Sequence, residues 1–236
     1  MALTIAYVAS SGVGGIDEPT VSGSHTPTSN AFLYITGFTQ GGTMTIPPVL
    51  TNSWGLTFTL VDSVQRDDGY MTHLWECTDS GSSPGAGTYT ITPDGAEQVG
   101  RSYWHMVSVV SDGGVGTISR VQTKQNIATV SVASIAATFT SALGGSNAVL
   151  AFGGGRLNTG ATIGEDAGYT ELFEDNFQFC QSQSSYDLTP ASTTVTLTPT
   201  AAMEAMGIHI VELSDAAGGP SIPVLAHHLR RQQGVV

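Results

Sequence analysis

The sequence predicts an all-β protein, made of two tandem jelly-roll or Greek-key β-sandwich domains followed by a C-terminal docking arm. Two observations predict this fold class. First, charged residues make up only 11% of the 236 residues, whereas Gly (29 residues), Thr and Ser are abundant, which favours short strands joined by tight turns. Second, one pattern of strands and turns occurs twice, at a spacing of roughly a hundred residues, the size of one β-sandwich domain.

The repeated pattern is clearest at the end of each copy. Thr88 to Asp112 and Thr194 to Asp215 both begin with an alternating run that ends in Thr-Pro, and both continue into an apolar run around one histidine. Upstream, Ser-Asn-Ala-Phe-Leu at 29–33 matches Ser-Asn-Ala-Val-Leu at 146–150. Chance similarity between Thr- and Ser-rich strands is the alternative. Further matches pair Gly55-Leu56-Thr57 with Gly168-Tyr169-Thr170, Cys77 with Cys180, and His105 with His209. The repeat predicts domains at 1–115 and 116–218, and a linker and arm at 219–236.

The first copy reads as a series of short strands without a helix. Leu3 to Ala9 alternates, residues 16 to 30 form a loop with one edge strand, and Ala31 to Phe38 is apolar enough for a central strand. Pro47-Pro48 confines the strand over 43–50 to an edge. The remaining predicted elements are a hairpin of strands at 56–64 and 70–77, a loop at 80–87 and the two closing strands of 88–112.

The second copy is predicted to start near Thr117 and to follow the same plan with shorter loops. Its predicted strands lie within 127–140 and at 147–152, 169–174, 177–182, 193–198 and 208–213, with one helical turn at 201–205.

Charge and hydropathy exclude several classes of function. The formal charge is −12, from 19 acids against seven Lys plus Arg, so the chain has no basic face for nucleic acid. The sequence contains no run of 18 apolar residues, so no membrane span is predicted. It has no basic N-terminal region either, so no signal peptide is predicted. The two cysteines are expected to be buried reduced thiols, and an interdomain disulfide is the alternative.

No catalytic residue, metal ligand or cofactor is predicted, because no P-loop, G-x-S-x-G or H-E-x-x-H motif is present. His105 and His209 lie inside strands without further ligands nearby. Asp67-Asp68 and Glu165-Asp166 read as solvated turns, with a loop calcium site as the alternative. Among the aromatic residues of the first copy, Trp54 and Tyr70 are candidates for stacking on a sugar ring.

The last residues differ from the rest of the chain. Residues 216 to 223 form a Pro-punctuated linker, and residues 224 to 233 combine apolar positions four apart with basic ones. Because a helix of this length is marginal alone, the segment is expected to dock on its own domains or on a partner. The predicted docking residues are Ile222, Val224, Leu225, His228, Leu229, Arg230 and Arg231.

The landmarks at 29–33, 55–57, 87–93 and 146–150, together with the strand that ends at Asp112, resemble a β-sandwich module of tailed-bacteriophage virion proteins. Such proteins are minor tail, tail-tip or head-decoration proteins. The resemblance covers most of residues 1–215 and rests on strand and turn landmarks, without a catalytic signature.

The resemblance implies a non-enzymatic structural component of a virion, assembled in the host cytoplasm and anchored by its C-terminal arm. Its partners would be other virion structural proteins and copies of itself, as a trimer by analogy. The alternative function is a carbohydrate-binding module that recognises a glycan of the host surface. Neither function involves a nucleic acid or a membrane.

Overall fold

The computed structural model describes residues 3–13, 18–41, 48–66, 69–92, 99–128, 130–156, 161–177 and 179–216. Apart from one short 3₁₀ turn, Val115–Thr117, every regular element in these ranges is a β-strand, which confirms the predicted fold class. None of the described elements is a helix of the length and hydropathy that a membrane span requires. The strands of the first repeat are β1 (Leu3–Val13), β2 (Thr20–Val21), β3 (Phe32–Gly41), β4 (Val49–Asn52), β5 (Thr59–Arg66), β6 (Tyr70–Cys77), β7 (Tyr89–Thr92) and β8 (Val99–Ser111). Those of the second repeat are β9 (Ile118–Ile127), β10 (Ile135–Thr138), β11 (Ala148–Arg156), β12 (Ile163–Gly164), β13 (Thr170–Phe177), β14 (Cys180–Asp187), β15 (Thr194–Pro199) and β16 (Ala205–Asp215).

Both repeats have the same strand order. In the first, β1-β8-β3-β6-β5 form a five-stranded antiparallel sheet and β2-β7-β4 a three-stranded one. In the second, β9-β16-β11-β14-β13 and β10-β15-β12 repeat this order strand for strand. This is the arrangement of a jelly roll, in which strands one, eight, three and six belong to one sheet and strands two, seven and four to the other. The fifth strand is held in the larger sheet by its hairpin to the sixth.

The two five-stranded sheets pack face to face, so that the chain forms four layers. The three-stranded sheets lie outside and each covers a core within its own repeat. A third core lies between the five-stranded sheets and contains residues of both repeats, including Tyr34, Val107, Leu150 and Val211. Strands β6 and β11 are therefore buried on both faces and do not show the alternating burial of a simple sandwich.

A pseudo-two-fold axis parallel to the strands relates the repeats. Strand β3 packs on β11 at the centre, β8 on β14 and β6 on β16 on either side, and β1 on β13 and β5 on β9 at the margins. Near the axis, Phe38 and Gly154 occupy corresponding positions and face one another, because a Cβ on Gly154 would lie 2.6 Å from Phe38 Cβ. A ring from one repeat thus fills a gap in the other.

Because the axis runs along the strands, corresponding connections of both repeats gather at the same end of the molecule. Connections β1–β2, β3–β4, β5–β6 and β7–β8 and their counterparts in the second repeat share one end, which we call the loop end. The opposite end, the terminal end, holds Leu3, Ser111, Ile118 and Asp215. There the amide of Ala216 donates to the carbonyl of Thr117 at 2.8 Å.

Histidines are buried between the large sheets at symmetric positions. His105 Nδ1 lies 2.7 Å from Ser182 Oγ, and His209 lies beside the backbone of Thr72, which corresponds to Ser182 by register. Burial lowers the pKa of His105 to about 3 and that of His209 to about 4, so both rings are neutral at pH 7. The predicted match of the two histidines is confirmed by their register, which makes Thr36 correspond to Phe152 and so shifts the predicted match of 29–33 with 146–150 by one residue.

Three predictions about the second repeat were wrong. Residues 118–127 form the long strand β9, which the polar sequence ISRVQTKQNI concealed. Strand β14 runs from 180 to 187 rather than from 177 to 182, because its buried positions are Gln and Ser rather than apolar residues. Residues 201–205 contain no helical turn.

The cysteines do not correspond, contrary to the predicted match. Cys77 ends β6, whereas Cys180 begins β14, and their registers place them at opposite ends of equivalent strands. Both are buried free thiols, and burial raises the pKa of Cys180 to about 12.

Candidate ligand-binding surface

The predicted docking residues of the arm, from Ile222 to Arg231, lie outside the described residues, as do Asp67 and Asp68. Docking by the arm therefore stays a prediction. The other acidic turn is described: Asp166 Oδ1 accepts from the amide of Ala167 and Oδ2 from that of Thr196, each at 2.8 Å. Within the described ranges, no group of three or more His, Cys, Asp or Glu side chains is placed to hold a metal ion.

Trp54, one of the two predicted sugar contacts, is only partly exposed. Its indole Nε1 donates to the carbonyl of His25 at 3.2 Å, and its ring meets the His25 ring at 4.9 Å edge-on. A Cβ on Gly87 would lie 2.8 Å from the indole. The side chain is thus held against its own loops and against the core of the first sandwich.

Tyr70, the other predicted contact, is 7% exposed and lies between the repeats. Its ring stacks on Phe38 at 5.9 Å, the Arg66 guanidinium lies 4.7 Å from its centroid, and Arg156 Nη1 donates to its hydroxyl at 2.5 Å. Trp54 and Tyr70 belong to different core clusters, so the fold does not bring them together.

A different set of aromatic residues meets where β1 of the first repeat packs on β13 of the second. Tyr7 stacks on Phe173 with centroids 4.7 Å apart and an interplanar angle of 3°. Tyr103 lies 6.1 Å from Phe173 and 6.2 Å from Phe177. With Phe179 at the adjoining β13–β14 turn, these side chains form what we call the aromatic seam: Tyr7, Tyr103, Phe173, Phe177 and Phe179.

Polar groups are interleaved with the rings of the aromatic seam. The hydroxyl of Tyr103 donates to Asp175 Oδ2 at 2.9 Å and lies 3.2 Å from Ser10 Oγ. The hydroxyl of Tyr7 lies 3.0 Å from the same Ser10 oxygen. Burial, together with the Asp175 carboxylate, raises the pKa of Tyr103 to about 12, so this phenol is a neutral donor at physiological pH.

Phe179 has an unusual backbone conformation and an exposed side chain. Its φ is +76°, in the left-handed region that bulky residues rarely adopt, and its side chain is 44% exposed. The Arg101 guanidinium lies 4.9 Å from its ring centroid, which is cation–π distance. In the first repeat the corresponding residue, immediately before β6, is Gly69 with φ +86°. The second repeat therefore has a phenylalanine where glycine is favourable.

The opposite margin of the molecule lacks these rings. There β5 packs on β9, and the positions that correspond to Phe173, Phe177, Phe179 and Tyr103 are Asp62, Arg66, Gly69 and Gly207. The pseudo-symmetric fold does not require aromatic residues at this junction, since one of its two margins is built without them.

Two larger concavities also open on the described surface. One, of about 600 Å³, is lined by Asp166, Tyr169 and Asp187 and by residues of the β14–β15 connection. The other, of about 440 Å³, contains the Glu76–Arg120 ion pair, in which Arg120 Nε and Nη2 donate to the two carboxylate oxygens at 2.8 and 3.1 Å. Because Glu76 belongs to the first repeat and Arg120 to the second, this pair joins the repeats, and Tyr34 also donates to Glu76.

The sequence reasoning missed the aromatic seam, although one signal for it was present. Phe173, Asp175 and Phe177 alternate along β13 and so lie on one face of the strand. The three tryptophans of the first repeat were the stronger compositional signal, and that signal pointed elsewhere.

The described chain is thus a tandem jelly-roll protein with a partly exposed aromatic surface where its repeats meet. No protein-family model, curated protein or solved structure matches it.

Proposed function

We propose that the protein is a non-enzymatic structural component of a bacteriophage virion, a minor tail or capsid-decoration protein anchored by its C-terminal arm. The observation that supports this most is the polarity of the fold. The last described residue, Ala216, lies at the terminal end, beside Thr117, so the arm that follows begins near this end, and the loop end lies at the opposite side of the molecule. A protein attached at its terminal end would direct its loop end outward, which suits such a role.

The packing of the repeats also supports a structural role. A core shared by two sandwiches resists hinge motion between them, because separating the sheets would expose Tyr34, Leu150 and the rest of that apolar cluster. The Glu76–Arg120 ion pair and the bond of Ser111 Oγ to Asp215 Oδ2, 2.8 Å long, add directional contacts across the same interface. The two repeats therefore form one stiff unit rather than two domains that move independently.

The arm supplies the attachment in this proposal. Ile222, Val224, Leu225 and Leu229 would be buried against neighbouring subunits, with His228 beside them, and Arg230 and Arg231 would pair with acidic groups there. The charge of −12 keeps free copies apart until such docking occurs. The partners are other virion structural proteins and further copies of the chain, with a trimer as the expected oligomer, and the location is the virion surface.

Deletion of residues 220–236 tests the arm. We expect the truncated protein to keep the thermal midpoint and circular dichroism spectrum of the full chain, and to be absent from purified particles when it replaces the full chain during infection. The matched control is Leu188→Ala, which changes an exposed apolar residue of the described body and should be incorporated normally. Normal incorporation of the truncated protein would rule out anchoring by the arm.

The second candidate function is carbohydrate binding for host-surface adhesion. It is favoured by one observation, the exposed rings of the aromatic seam, since aromatic side chains with an apolar face and nearby polar groups suit sugar rings. As predicted from sequence, this function would use Trp54 and Tyr70, and glycan binding that disappears in Trp54→Ala would support that version.

A further inference from the structure

We propose that the aromatic seam is a binding site for a neutral saccharide chain and that both repeats contribute to it. Tyr7 and Phe179 are 40% and 44% exposed, among the most accessible large apolar side chains that the structure describes. They mark the two ends of a row in which Phe173 and Phe177 are half-buried. From Phe173 to Phe177 the row extends about 13 Å along β13, enough for a short stretch of linked sugar rings.

The backbone at Phe179 carries the argument further. A left-handed conformation costs a non-glycine residue stability, and strained residues concentrate at sites that bind ligands. The first repeat has Gly69 at the corresponding turn, also with positive φ, so the backbone conformation of this turn favours glycine. The phenylalanine does not contribute to a core either, because almost half of its side chain is exposed. An exposed ring held at a cost to the backbone indicates that the ring itself has a use.

The polar groups beside the rings suit hydroxyl recognition. Ser10 Oγ, the Asp175 carboxylate and the Arg101 guanidinium offer donors and acceptors along the row. Each oxygen of Asp175 already accepts one hydrogen bond, from Tyr103 or from the amide of Asn176, which fixes the carboxylate and leaves lone pairs for a ligand. Rings that stack and a fixed carboxylate that accepts hydrogen bonds from hydroxyl groups are the contacts that suit a sugar.

Charge selects a neutral chain over an anionic one. Arg101 is the one positively charged side chain in contact with the seam in the described part of the chain, whereas Asp175 lies in the row and Glu171 and Glu174 belong to the same strand. The carboxylates of Glu171 and Asp175 contribute to raising the pKa of Glu174, after the larger effect of burial, so the local potential is negative. With a net charge of −12, the protein would repel an acidic polysaccharide.

The test uses the purified full-length chain and does not depend on the virion assignment. Affinity electrophoresis in gels cast with dextran, galactomannan or mixed-linkage β-glucan, and with alginate as the anionic comparison, measures binding. We expect at least one neutral polysaccharide to retard the protein and alginate not to. Tyr7→Ala and Phe179→Gly should each raise the dissociation constant obtained from the retardation about tenfold, as expected for the loss of one stacking ring. Leu188→Ala should leave it unchanged.

Phe179→Gly is the decisive variant because glycine suits the backbone there. It should lose binding while its thermal midpoint stays close to that of the wild type, which a merely structural phenylalanine would not allow. The proposal is overturned by no retardation in any of the neutral gels, by retardation that persists in both seam variants, or by loss of binding in Trp54→Ala alone. It is equally overturned if sedimentation shows that the seam rings hold a dimer that binds no polysaccharide.

Discussion

Substitution of Gly154 by alanine tests the face-to-face packing of the repeats at a point of close contact near the axis. The new Cβ would lie 2.6 Å from Phe38 Cβ and 3.4 Å from the carbonyl oxygen of Gln181. Both Cβ atoms are fixed to the backbone, so no rotamer change relieves the contact, and the two large sheets must separate locally. Overpacking of this kind costs about 1–3 kcal/mol.

A smaller gain opposes this cost. Alanine has less conformational freedom than glycine in the unfolded chain, which stabilises by about 0.4–1 kcal/mol where the backbone allows it. The net expectation is a loss of about 1–2 kcal/mol. For a chain of this size, such a loss lowers the thermal midpoint by about 2–8 °C.

Differential scanning calorimetry and urea unfolding measure the effect. The matched control is Gly145→Ala, because Gly145 is exposed, has open space around its Cβ position and no positive φ, and so should change stability by less than about 0.5 kcal/mol. Since one core contains residues of both repeats, we expect a single transition that shifts as a whole in Gly154→Ala. A Gly154→Ala protein as stable as the control, or two separate transitions in the wild type, would refute the shared interface.

Three further predictions concern other parts of the structure. His105 and His209 are buried and neutral, with pKa values of about 3 and about 4, below the value of about 6.5 in the unfolded chain. The free energy of unfolding is therefore complete above pH 6.5 and falls by about 1.4 kcal/mol per pH unit for each histidine as the pH drops below that value. Urea unfolding at pH 7 and pH 5 should show this loss, and a His209→Leu protein with an unchanged loss would contradict it. Glu76→Gln should cost about 1–3 kcal/mol, because it weakens two charge-assisted bonds from Arg120, and a double-mutant cycle with Arg120→Ala that gives no coupling energy would count against the pair. Phe179→Gly should change the free energy of unfolding by less than about 1 kcal/mol, because relief of about 1–2 kcal/mol of backbone strain offsets the lost cation–π contact, whereas a core phenylalanine would cost about 3–5 kcal/mol.

The fold class was predictable because turn and strand signals are local. Gly55 and Gly168, which the sequence paired, both have positive φ, +74° and +90°, and both precede the fifth strand of their repeat. The edge strand expected between residues 16 and 30 is also present, as β2. Signals of this kind survive insertion and drift, because each depends on only a few neighbouring residues.

The strands that were misplaced fail for a physical reason. Alternating hydropathy indicates a strand with one wet and one dry face, but the large sheets are covered on both faces. In β14, Ser182 is buried and hydrogen-bonded to His105, and Gln183 and Ser184 are buried with it. A run of Gln and Ser does not indicate a buried strand, because the sheet that covers this face of β14 lies in the other repeat.

The candidate site was unpredictable for the same reason. Tyr7 and Phe173 stack closely in space but are far apart in the chain and belong to different repeats. Only the pseudo-two-fold packing brings β1 to β13, so the alternation of Phe173, Asp175 and Phe177 along β13 does not indicate which strand these side chains meet. Trp54 and Tyr70 attracted attention because large aromatic residues are conspicuous in a sequence, yet the fold uses most of their surface to fill its own interior.

Divergence of the two repeats explains how one margin of the molecule is free to specialise. In an isologous pair of identical chains, Phe38 and the residue at 154 would be the same, and the seam would occur twice. Here Phe38 faces Gly154, so the first repeat supplies a ring where the second leaves space, and Phe179 at one margin corresponds to Gly69 at the other. Once the repeats fit one another in this way, a ring added at the β1–β13 margin has no counterpart at the β5–β9 margin. A site with rings from both repeats then exists once per chain, which a symmetric pair of identical domains does not achieve.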